Sequence, residues 1–148
     1  MIRKVKEEDF YTLYNWINDE GVIKNSRYQE GKTLEVYRNW FDKKLNDSNS
    51  YMFILEHEDK PIGQVNFVIE GGEALITFSV DKQNRGSGWG RKLAAHATEF
   101  IFNEVDKCNK AVAYINSENK ASIKTFHGLG YSYEIDGEDY KKMYKVLT

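Results

Sequence analysis

Three glycines at alternate positions, Gly86, Gly88 and Gly90, constrain the fold more than any other feature of this 148-residue sequence. They follow a segment that alternates apolar and polar residues, 74–80, and they precede apolar residues at helical spacing in 93–101. Glycine accepts positive φ angles and leaves no side chain above the backbone. The pattern therefore predicts a strand, a glycine turn and a helix in immediate succession.

Such a turn can hold an anion. Its N–H groups can point to one spot, and the start of the next helix adds free donors and the positive end of its dipole. Arg85, Arg91 and Lys92 can add charge around that spot. The spacing G-x-G-x-G is not the G-x-G-x-x-G dinucleotide fingerprint, and a Walker loop would need G-K-[ST]. We interpret the turn as a diphosphate cradle; a flexible turn without a ligand is the alternative.

The rest of the chain predicts an α+β fold in one domain, residues 1–148. Gly71-Gly72 and Asp136-Gly137 each predict a hairpin. Gly21 is expected just past the end of the first helix, and 24–32 is expected to be a polar loop. The pattern indicates a mixed, mostly antiparallel central sheet of about seven strands flanked by four helices. Strands are predicted at 2–5, 51–55, 62–69, 74–80, 110–115, 131–135 and 140–147, and helices at 7–18, 33–45, after the glycines, and at 119–129.

Composition narrows the possible partners. The chain has 21 basic and 23 acidic residues, a net charge of −2, which gives no electrostatic reason to expect nucleic acid or a membrane as partner. The single cysteine, Cys108, excludes an internal disulfide and suits a reducing compartment. No apolar run is long enough to span a bilayer, and no apolar leader follows Met1. We therefore expect a cytoplasmic protein.

Two spaced motifs carry a family resemblance. Arg85-Gly86-Ser87-Gly88-Trp89-Gly90 resembles the [QR]-x-x-G-x-[GA] signature of the GNAT superfamily of N-acetyltransferases. Residues 119–131 are similar to the family's N-x-x-[AS]-x-x-x-[YF]-x-x-x-G-[FY] segment, and the predicted order of elements agrees along the chain. The resemblance implies a GNAT fold that transfers an acetyl group from acetyl-coenzyme A to a small-molecule amine, with no metal.

The resemblance also implies where the coenzyme lies. Backbone groups of 78–80 would pair with its pantetheine arm as an added strand does, and 86–91 would hold its pyrophosphate. Asn119 would lie near the pantetheine, and Phe126 near the thiol. The cofactor-binding residues implied are Phe78, Ser79, Val80, Arg85, Gly86, Ser87, Gly88, Trp89, Gly90, Arg91, Asn119 and Phe126.

The catalytic groups are less well defined. Acetyl transfer needs a deprotonated amine, a donor to the oxyanion and an acid for the thiolate; a free backbone N–H on the strand ending at Val80 is the expected donor. The family's acid is commonly a tyrosine where this chain has Phe126, which cannot donate a proton. Either another group serves or the thiolate leaves unassisted. The candidates for the acid are His127, Tyr131, Tyr140 and Tyr144. Thr77 and Ser79 could position a water molecule, and Glu73 or Glu70 could act as the base. His57 and His96 are expected at the surface.

The acceptor region resembles a branch of the family that acts on nucleotide-linked amino sugars, as in surface-polysaccharide synthesis. Asn18, Ser26, Gln64 and Asn66 offer neutral hydrogen bonds to sugar hydroxyls. Trp16 or Trp40 could stack on a sugar face or a base, or could instead anchor the core.

Two other functions stay open: an acetyltransferase of protein N-termini, and a coenzyme-binding module without catalysis. A polyamine acceptor would require a carboxylate-lined pocket. We expect a monomer or a homodimer, with 140–147 as an exposed edge.

Overall fold

The computed structural model describes residues 1–25 and 31–146. Two short 3-10 turns, Glu7–Asp9 and Lys82–Asn84, join regular elements. The strands are β1 Ile2–Lys4, β2 Ser50–His57, β3 Lys60–Glu70, β4 Glu73–Val80, β5 Lys110–Asn116, β6 Ser132–Asp136 and β7 Tyr140–Val146. The helices are α1 Phe10–Ile17, α2 Glu20–Asn25, α3 Leu34–Leu45, α4 Trp89–Glu104 and α5 Lys120–Gly128.

The described strands form one seven-stranded sheet in the order β1-β2-β3-β4-β5-β7-β6. Neighbouring strands are antiparallel except β4 and β5, which run parallel. Helix α4 follows β4 and returns the chain across the sheet, so the next strand can lie parallel to β4. The predicted α+β class and the mixed, mostly antiparallel sheet are confirmed.

Each face of the sheet has its own apolar core. Helices α4 and α5 cover one face, where Leu93, Ile101 and Phe126 pack on alternate residues of β3, β4 and β5. Helices α1 and α3 cover the other face over β1 and β2, in a cluster that includes Phe41 and Ile54. The second cluster ends at β2, and the same face of β3 and β4 carries the polar pairs Gln64–Ser79 and Asn66–Thr77, followed by the apolar pair Val68–Leu75.

The predicted count of four helices is wrong, because five are present in the described ranges. The first predicted helix divides into a 3-10 turn, α1 and the separate helix α2, and Gly21 lies inside α2 rather than beyond a helix end. Asp19 explains the division, since its carboxylate accepts hydrogen bonds from the N–H groups of Gly21 (2.9 Å) and Val22 (3.2 Å). The predicted loop at 24–32 therefore begins as helix, and 26–30 fall outside the described residues.

The predicted edge strand also needs correction. β7 pairs with β5 on one side and with β6 on the other. The edge strand at this end of the sheet is therefore β6, and all of its residues are exposed. The tail folds back on itself after Asp136, where the Gly137 N–H donates to the Tyr140 carbonyl (3.1 Å). Hydrogen bonds from β6 thus occupy the free side of β7.

Candidate active site

A notch opens between β4 and β5. The two strands pair only at Glu73–Lys110, Ala74–Ala111 and Leu75–Val112, whereas β3 pairs with the whole of β4. From residue 76 to residue 80, β4 therefore has a strand partner on one side only. Backbone groups on its other edge are available to an extended ligand, as the sequence resemblance implied for 78–80.

The glycine turn lies at the open end of this notch, directly after β4. Gly86 and Gly88 have φ angles of +84° and +85°, and a Cβ atom at either would meet no atom within 4 Å. Gly88 is the N-cap of α4 and provides no side-chain cap, so the first N–H groups of α4 have no partner from that residue. Open space above a left-handed backbone at a helix start fits a diphosphate, which these N–H groups would bind.

A different constraint requires glycine at position 90. A Cβ atom there would lie 2.9 Å from Cε2 of Phe78, so the absence of a side chain lets the first turn of α4 rest on the ring. The neighbouring Trp89 packs against His57 with 4.9 Å between ring centroids. These contacts fix the cradle against the ends of β4 and β2.

The basic residues of the cradle differ in what they contact. The Arg85 guanidinium donates from Nε to the Val80 carbonyl (2.9 Å) and from Nη2 to Asp19 Oδ2 (2.9 Å). The positive charge of Arg85 is thus paired with a carboxylate of the protein. The Lys92 ammonium lies 5.0 Å from the Trp89 ring centroid, and the exposed Arg91 reaches the end of α5 at Gly128. Arg91 and Lys92 remain available to balance a diphosphate.

Residues Asn119 and Phe126 occupy opposite ends of α5. Asn119 is its N-cap and accepts from the Ser122 N–H (3.3 Å). A cleft of about 470 Å³ adjoins Asn119 and is bounded also by Lys24 of α2. Phe126 is 2 % exposed and packs on Phe78 and Tyr131, with ring centroids 5.8 and 4.8 Å away. Their contacts with the coenzyme stay predictions.

Four of the predicted site residues form one chain of hydrogen bonds, which we call the polar strip: Gln64, Asn66, Thr77 and Ser79. Gln64 donates to the Ser79 hydroxyl (3.0 Å), Asn66 donates to the Gln64 side-chain oxygen (2.9 Å), and Thr77 donates to the Asn66 side-chain oxygen (2.8 Å). The register explains the contacts, because Gln64 lies opposite Ser79 and Asn66 opposite Thr77. The strip continues the sheet face that α1 and α3 cover, since Ile54 lies opposite Gln64.

The structure separates Glu73 from the polar strip. It is at the first residue of β4, about 20 Å along the strand from Ser79 at 3.3 Å per residue. Its carboxylate lies 3.2 Å from the Lys110 ammonium. Glu73 therefore contributes to a surface ion pair, and its prediction as a base gains no support. The glycine turn that follows Val80 already indicates that the site lies at the other end of this strand.

The candidate acids are also engaged elsewhere. Tyr131 packs on the α4–α5 face of the sheet, and its hydroxyl lies 2.7 Å from the Thr98 hydroxyl. Burial raises the pKa of Tyr131 to about 12. The Tyr144 ring lies 5.3 Å from the Lys110 ammonium. His127 contacts the Tyr133 ring, and Tyr140 contacts Tyr114. None of these contacts brings an acid to the polar strip.

His96 is less exposed than the sequence predicted. Its Nε2 atom is buried and has no hydrogen-bond partner among the described residues, and its ring meets Phe53 edge to face at 5.1 Å. Burial lowers the pKa of His96, against a smaller opposite effect from Glu99. It belongs to the core around α4 rather than to the site.

The predicted acceptor residues of the first helices have structural contacts. Trp16 and Trp40 pack against the α1–α3 cluster, and Trp40 stacks on Tyr37 at 5.4 Å. Asn18 donates to the Tyr14 carbonyl (3.0 Å) and accepts from the Lys32 N–H (2.7 Å), so both ends of its amide are occupied. The predicted Ser26 lies outside the described residues.

Sequence reasoning missed two side chains that the fold brings to the notch. Asp19 reaches Arg85 across 66 residues, and Asn116, the last residue of β5, donates to the Lys24 carbonyl (3.2 Å). An aspartate before Glu20-Gly21-Val22 is a helix N-cap signal that could have revealed Asp19. Asn116 carries no comparable signal.

Neither a metal-binding cluster nor a membrane-spanning helix is present among the described residues. No three His, Cys, Asp or Glu side chains among 1–25 and 31–146 are placed to share a metal ion. No helix in the same ranges has the length and apolarity needed to cross a bilayer.

Solved structures share this architecture. Spermidine N-acetyltransferase from Vibrio cholerae, in complex with CoA and spermine, superposes with a TM-score of 0.85 at 18 % identity, covering 99 % of this chain and 94 % of that one. A domain from Methanocaldococcus jannaschii gives 0.85 at 22 % identity, covering 99 % and 97 %. Ribosomal-protein-alanine N-acetyltransferase from Brucella melitensis gives 0.82 at 23 % identity, covering 99 % of each chain. At these identities the likeness shows the fold.

The sequence itself supplies the family. Residues 1–132 match the family described as Acetyltransferase (GNAT) domain, and the chain belongs to that family. It is therefore an N-acetyltransferase that uses acetyl-coenzyme A, as the two motifs implied. A comparison with functionally curated proteins finds no significant match.

Proposed function

We propose that the chain acetylates the amino group of a small polyhydroxylated amine, an amino sugar linked to a nucleotide. The polar strip is the observation that carries this proposal. Its four side chains are uncharged, and they place two amide groups on β3 and two hydroxyl groups on β4 along one sheet face beside the notch. Neutral groups of this kind exchange hydrogen bonds with sugar hydroxyls without the cost of burying an unpaired charge.

The pairing of Asp19 and Glu73 also favours a sugar over a polyamine. A polyamine carries several positive charges and is best held by free carboxylates. The carboxylate of Asp19 is already paired with Arg85, and that of Glu73 is paired with Lys110 at the far end of β4. Neither is free to bind an ammonium group. The resemblance of the acceptor segments to the amino-sugar branch supports the same conclusion.

The chain's own groups suggest how transfer is assisted. The unpaired edge of β4 would donate a backbone N–H to the oxygen of the thioester as negative charge develops there. Ser79 and Thr77 would orient the amine or a water molecule that takes its proton. Phe126 offers no proton and would only pack beside the thiol end, so the thiolate would leave unassisted.

An acceptor screen tests the class of substrate. Four probes would be incubated with acetyl-coenzyme A: a uridine-diphosphate amino sugar, free glucosamine, spermidine, and a peptide with an N-terminal alanine. Acetylated product would be measured by mass spectrometry. We expect kcat/KM at least tenfold higher for the nucleotide sugar than for the others. Preference for spermidine or the peptide would contradict the proposal, as would coenzyme binding with no turnover of any amine.

Two matched variants test the strip itself. Asn66→Leu removes the middle of the chain, where the side chain both donates and accepts, and Asn39→Leu makes the same change on the exposed surface of α3. We expect Asn66→Leu to raise the KM of the preferred sugar about tenfold, the equivalent of one lost hydrogen bond in a closed site. The KM for acetyl-coenzyme A should not change, and Asn39→Leu should match the native enzyme. An unchanged sugar KM in Asn66→Leu would remove the strip from the acceptor site.

A further inference from the structure

Hydrogen bonds link helix α2 to the ends of the two strands that border the notch. Extending the parallel register past Leu75 and Val112 places Ser79 of β4 level with Asn116 of β5, at the open end. Side chains alternate along β5, and Ala113 and Ile115 face the α4–α5 core, so Asn116 faces the same side as the polar strip. The ends of β4 and β5 therefore lie level with each other and offer attachment points on the same face of the sheet.

The first attachment joins the start of α2 to the end of β4. Arg85 connects them, since its guanidinium donates to the Val80 carbonyl (2.9 Å) and to Asp19 Oδ2 (2.9 Å). The same carboxylate oxygen accepts from the first turn of α2, at Gly21 and Val22. The fit is close, because a Cβ atom at Gly21 would lie 2.8 Å from Arg85 Nη1. The hydrogen bond from Arg85 lowers the pKa of Asp19, which keeps the pair charged at neutral pH.

The second attachment joins the last turn of α2 to the end of β5. Asn116 donates from Nδ2 to the Lys24 carbonyl (3.2 Å) and accepts from the Glu118 N–H (2.9 Å) through Oδ1. The second bond orients the amide so that its N–H₂ group points to α2. An outside donor to a carbonyl in the last turn of a helix stabilises the end of that helix.

The distance between the two attachments of α2 exceeds the distance between two paired strands. From Asp19 to Lys24 a helix advances about 7.5 Å, at 1.5 Å per residue. Directly paired strands lie about 4.8 Å apart, so a span of this size crosses two strands that have separated. Helix α2 is thus held at one end by each strand.

We propose that α2 is a strap across the open end of the notch, and that Asp19 and Asn116 are positioning residues that hold it there. Held in place, the strap limits the width of the acceptor entrance and shields the thioester from bulk water. The inference uses the coenzyme site and the sheet geometry; of the proposed function it takes only the placement of the acceptor beside the polar strip.

Hydrogen exchange followed by mass spectrometry tests the strap without any acceptor. Asp19→Asn removes the charge that Arg85 binds but leaves an oxygen for the cap, and Asn116→Ala removes the other attachment. We expect exchange at 20–25 to accelerate about fivefold or more in each variant, while exchange in α4 stays native. Asp42→Asn is the control, because it makes the same change in an exposed pair of α3 with Arg38 (3.5 Å). Native exchange at 20–25 in both test variants would overturn the proposal.

Two further measurements use coenzyme alone. Coenzyme A should bind both variants within about twofold of the native affinity by calorimetry, because neither substitution changes the backbone of the glycine turn and Arg85 keeps its bond to the Val80 carbonyl. Hydrolysis of acetyl-coenzyme A without amine, followed by chromatography of released coenzyme A, should rise about threefold or more as water gains access. Unchanged hydrolysis would overturn the shielding role. A tenfold loss of coenzyme affinity would also overturn the proposal, since Asp19 would then act through the coenzyme site.

The outcomes separate this proposal from the proposed function. If the acceptor screen favours a polyamine or a peptide, the sugar assignment fails, yet faster exchange at 20–25 and faster hydrolysis still support the strap. If the screen favours the nucleotide sugar but both variants exchange and hydrolyse like the native protein, only the strap fails.

Discussion

At Gly88 the backbone has a φ angle of +85°, and a Cβ atom would meet nothing within 4 Å. Gly71, in the β3–β4 hairpin, has the same two properties, with a φ angle of +55°. In both places any other residue would cost about 1 kcal/mol of backbone strain. The two glycines therefore differ mainly in position: one lies at the start of α4 beside the notch, and the other at the opposite end of β4.

Arginine substitutions at these two glycines should affect coenzyme A binding differently. Gly88→Arg places a long side chain in the cradle, so we expect calorimetry to show at least a hundredfold loss of coenzyme A affinity, or about 2.8 kcal/mol. Gly71→Arg carries similar strain and should bind coenzyme A within twofold of the native chain. Equal losses in both variants would attribute the effect to strain and would contradict the placement of the pyrophosphate.

At the scale of single elements, α4 combines two roles. Its first turn forms the cradle, and its middle packs on the sheet, where His96 contacts Phe53 and Phe100. The His96 Nε2 atom is buried without a partner in the described part of the chain. A protonated ring would be poorly solvated there, which is why burial lowers the pKa of His96 below its ordinary 6.5.

The sign of this shift predicts a pH dependence of stability. Below pH 6.5 the unfolded chain takes up a proton at His96 before the folded protein does, so the free energy of unfolding decreases as pH falls towards the lower folded pKa. His96→Phe should flatten this decrease and stabilise the protein by about 1 kcal/mol, because it removes an unsatisfied polar atom. Urea unfolding between pH 5 and pH 7.5 would measure both effects.

An exposed histidine provides the control. His57 lies at the end of β2 with half of its side chain exposed, so His57→Gln is a matched histidine substitution outside α4. If His96→Phe keeps the native slope while His57→Gln changes it, the assignment of the acid-sensitive group to α4 is wrong.

At the scale of the whole molecule, one sheet separates two apolar cores. Phe67 of β3 is 1 % exposed in the α4–α5 core, and Phe41 of α3 is fully buried in the α1–α3 core. Among the described residues the two cores form separate clusters on either side of the sheet, since successive residues of β2, such as Phe53 and Ile54, point into one and then the other. Loss of either core therefore removes support from the same strands.

This arrangement predicts one cooperative unfolding transition. Phe41→Leu and Phe67→Leu should each lower the free energy of unfolding by about 1–2 kcal/mol and should shift a single midpoint. Far-UV circular dichroism follows the whole molecule, while tryptophan fluorescence gives added weight to the α1–α3 side through Trp16 and Trp40. Two separate midpoints, or different midpoints by the two methods, would show that the cores unfold independently.

Local patterns in the sequence predicted most of the fold. The positions of the strands depend on alternation along a few residues, and the cradle depends on glycine spacing, so both can be recognised without the tertiary structure. Gln64, Asn66, Thr77 and Ser79 were each predicted as site residues for separate reasons. The division of the first helix was missed, because the apolar spacing of α1 concealed the capping role of Asp19.

By itself, the sequence determined the class of fold, the family and the glycine turn, since each depends on residues that are near one another in the chain. The two-residue turn Gly71-Gly72 also sets the β3–β4 register, which joins the four polar residues into one strip and leaves Glu73 at the far end of β4. The tertiary structure decided which residues of distant segments meet. The separation of β4 from β5 created the notch, and a contact across 66 residues brought Asp19 to Arg85. Strand separation and long-range pairing arise from packing of the whole chain, which no local pattern records.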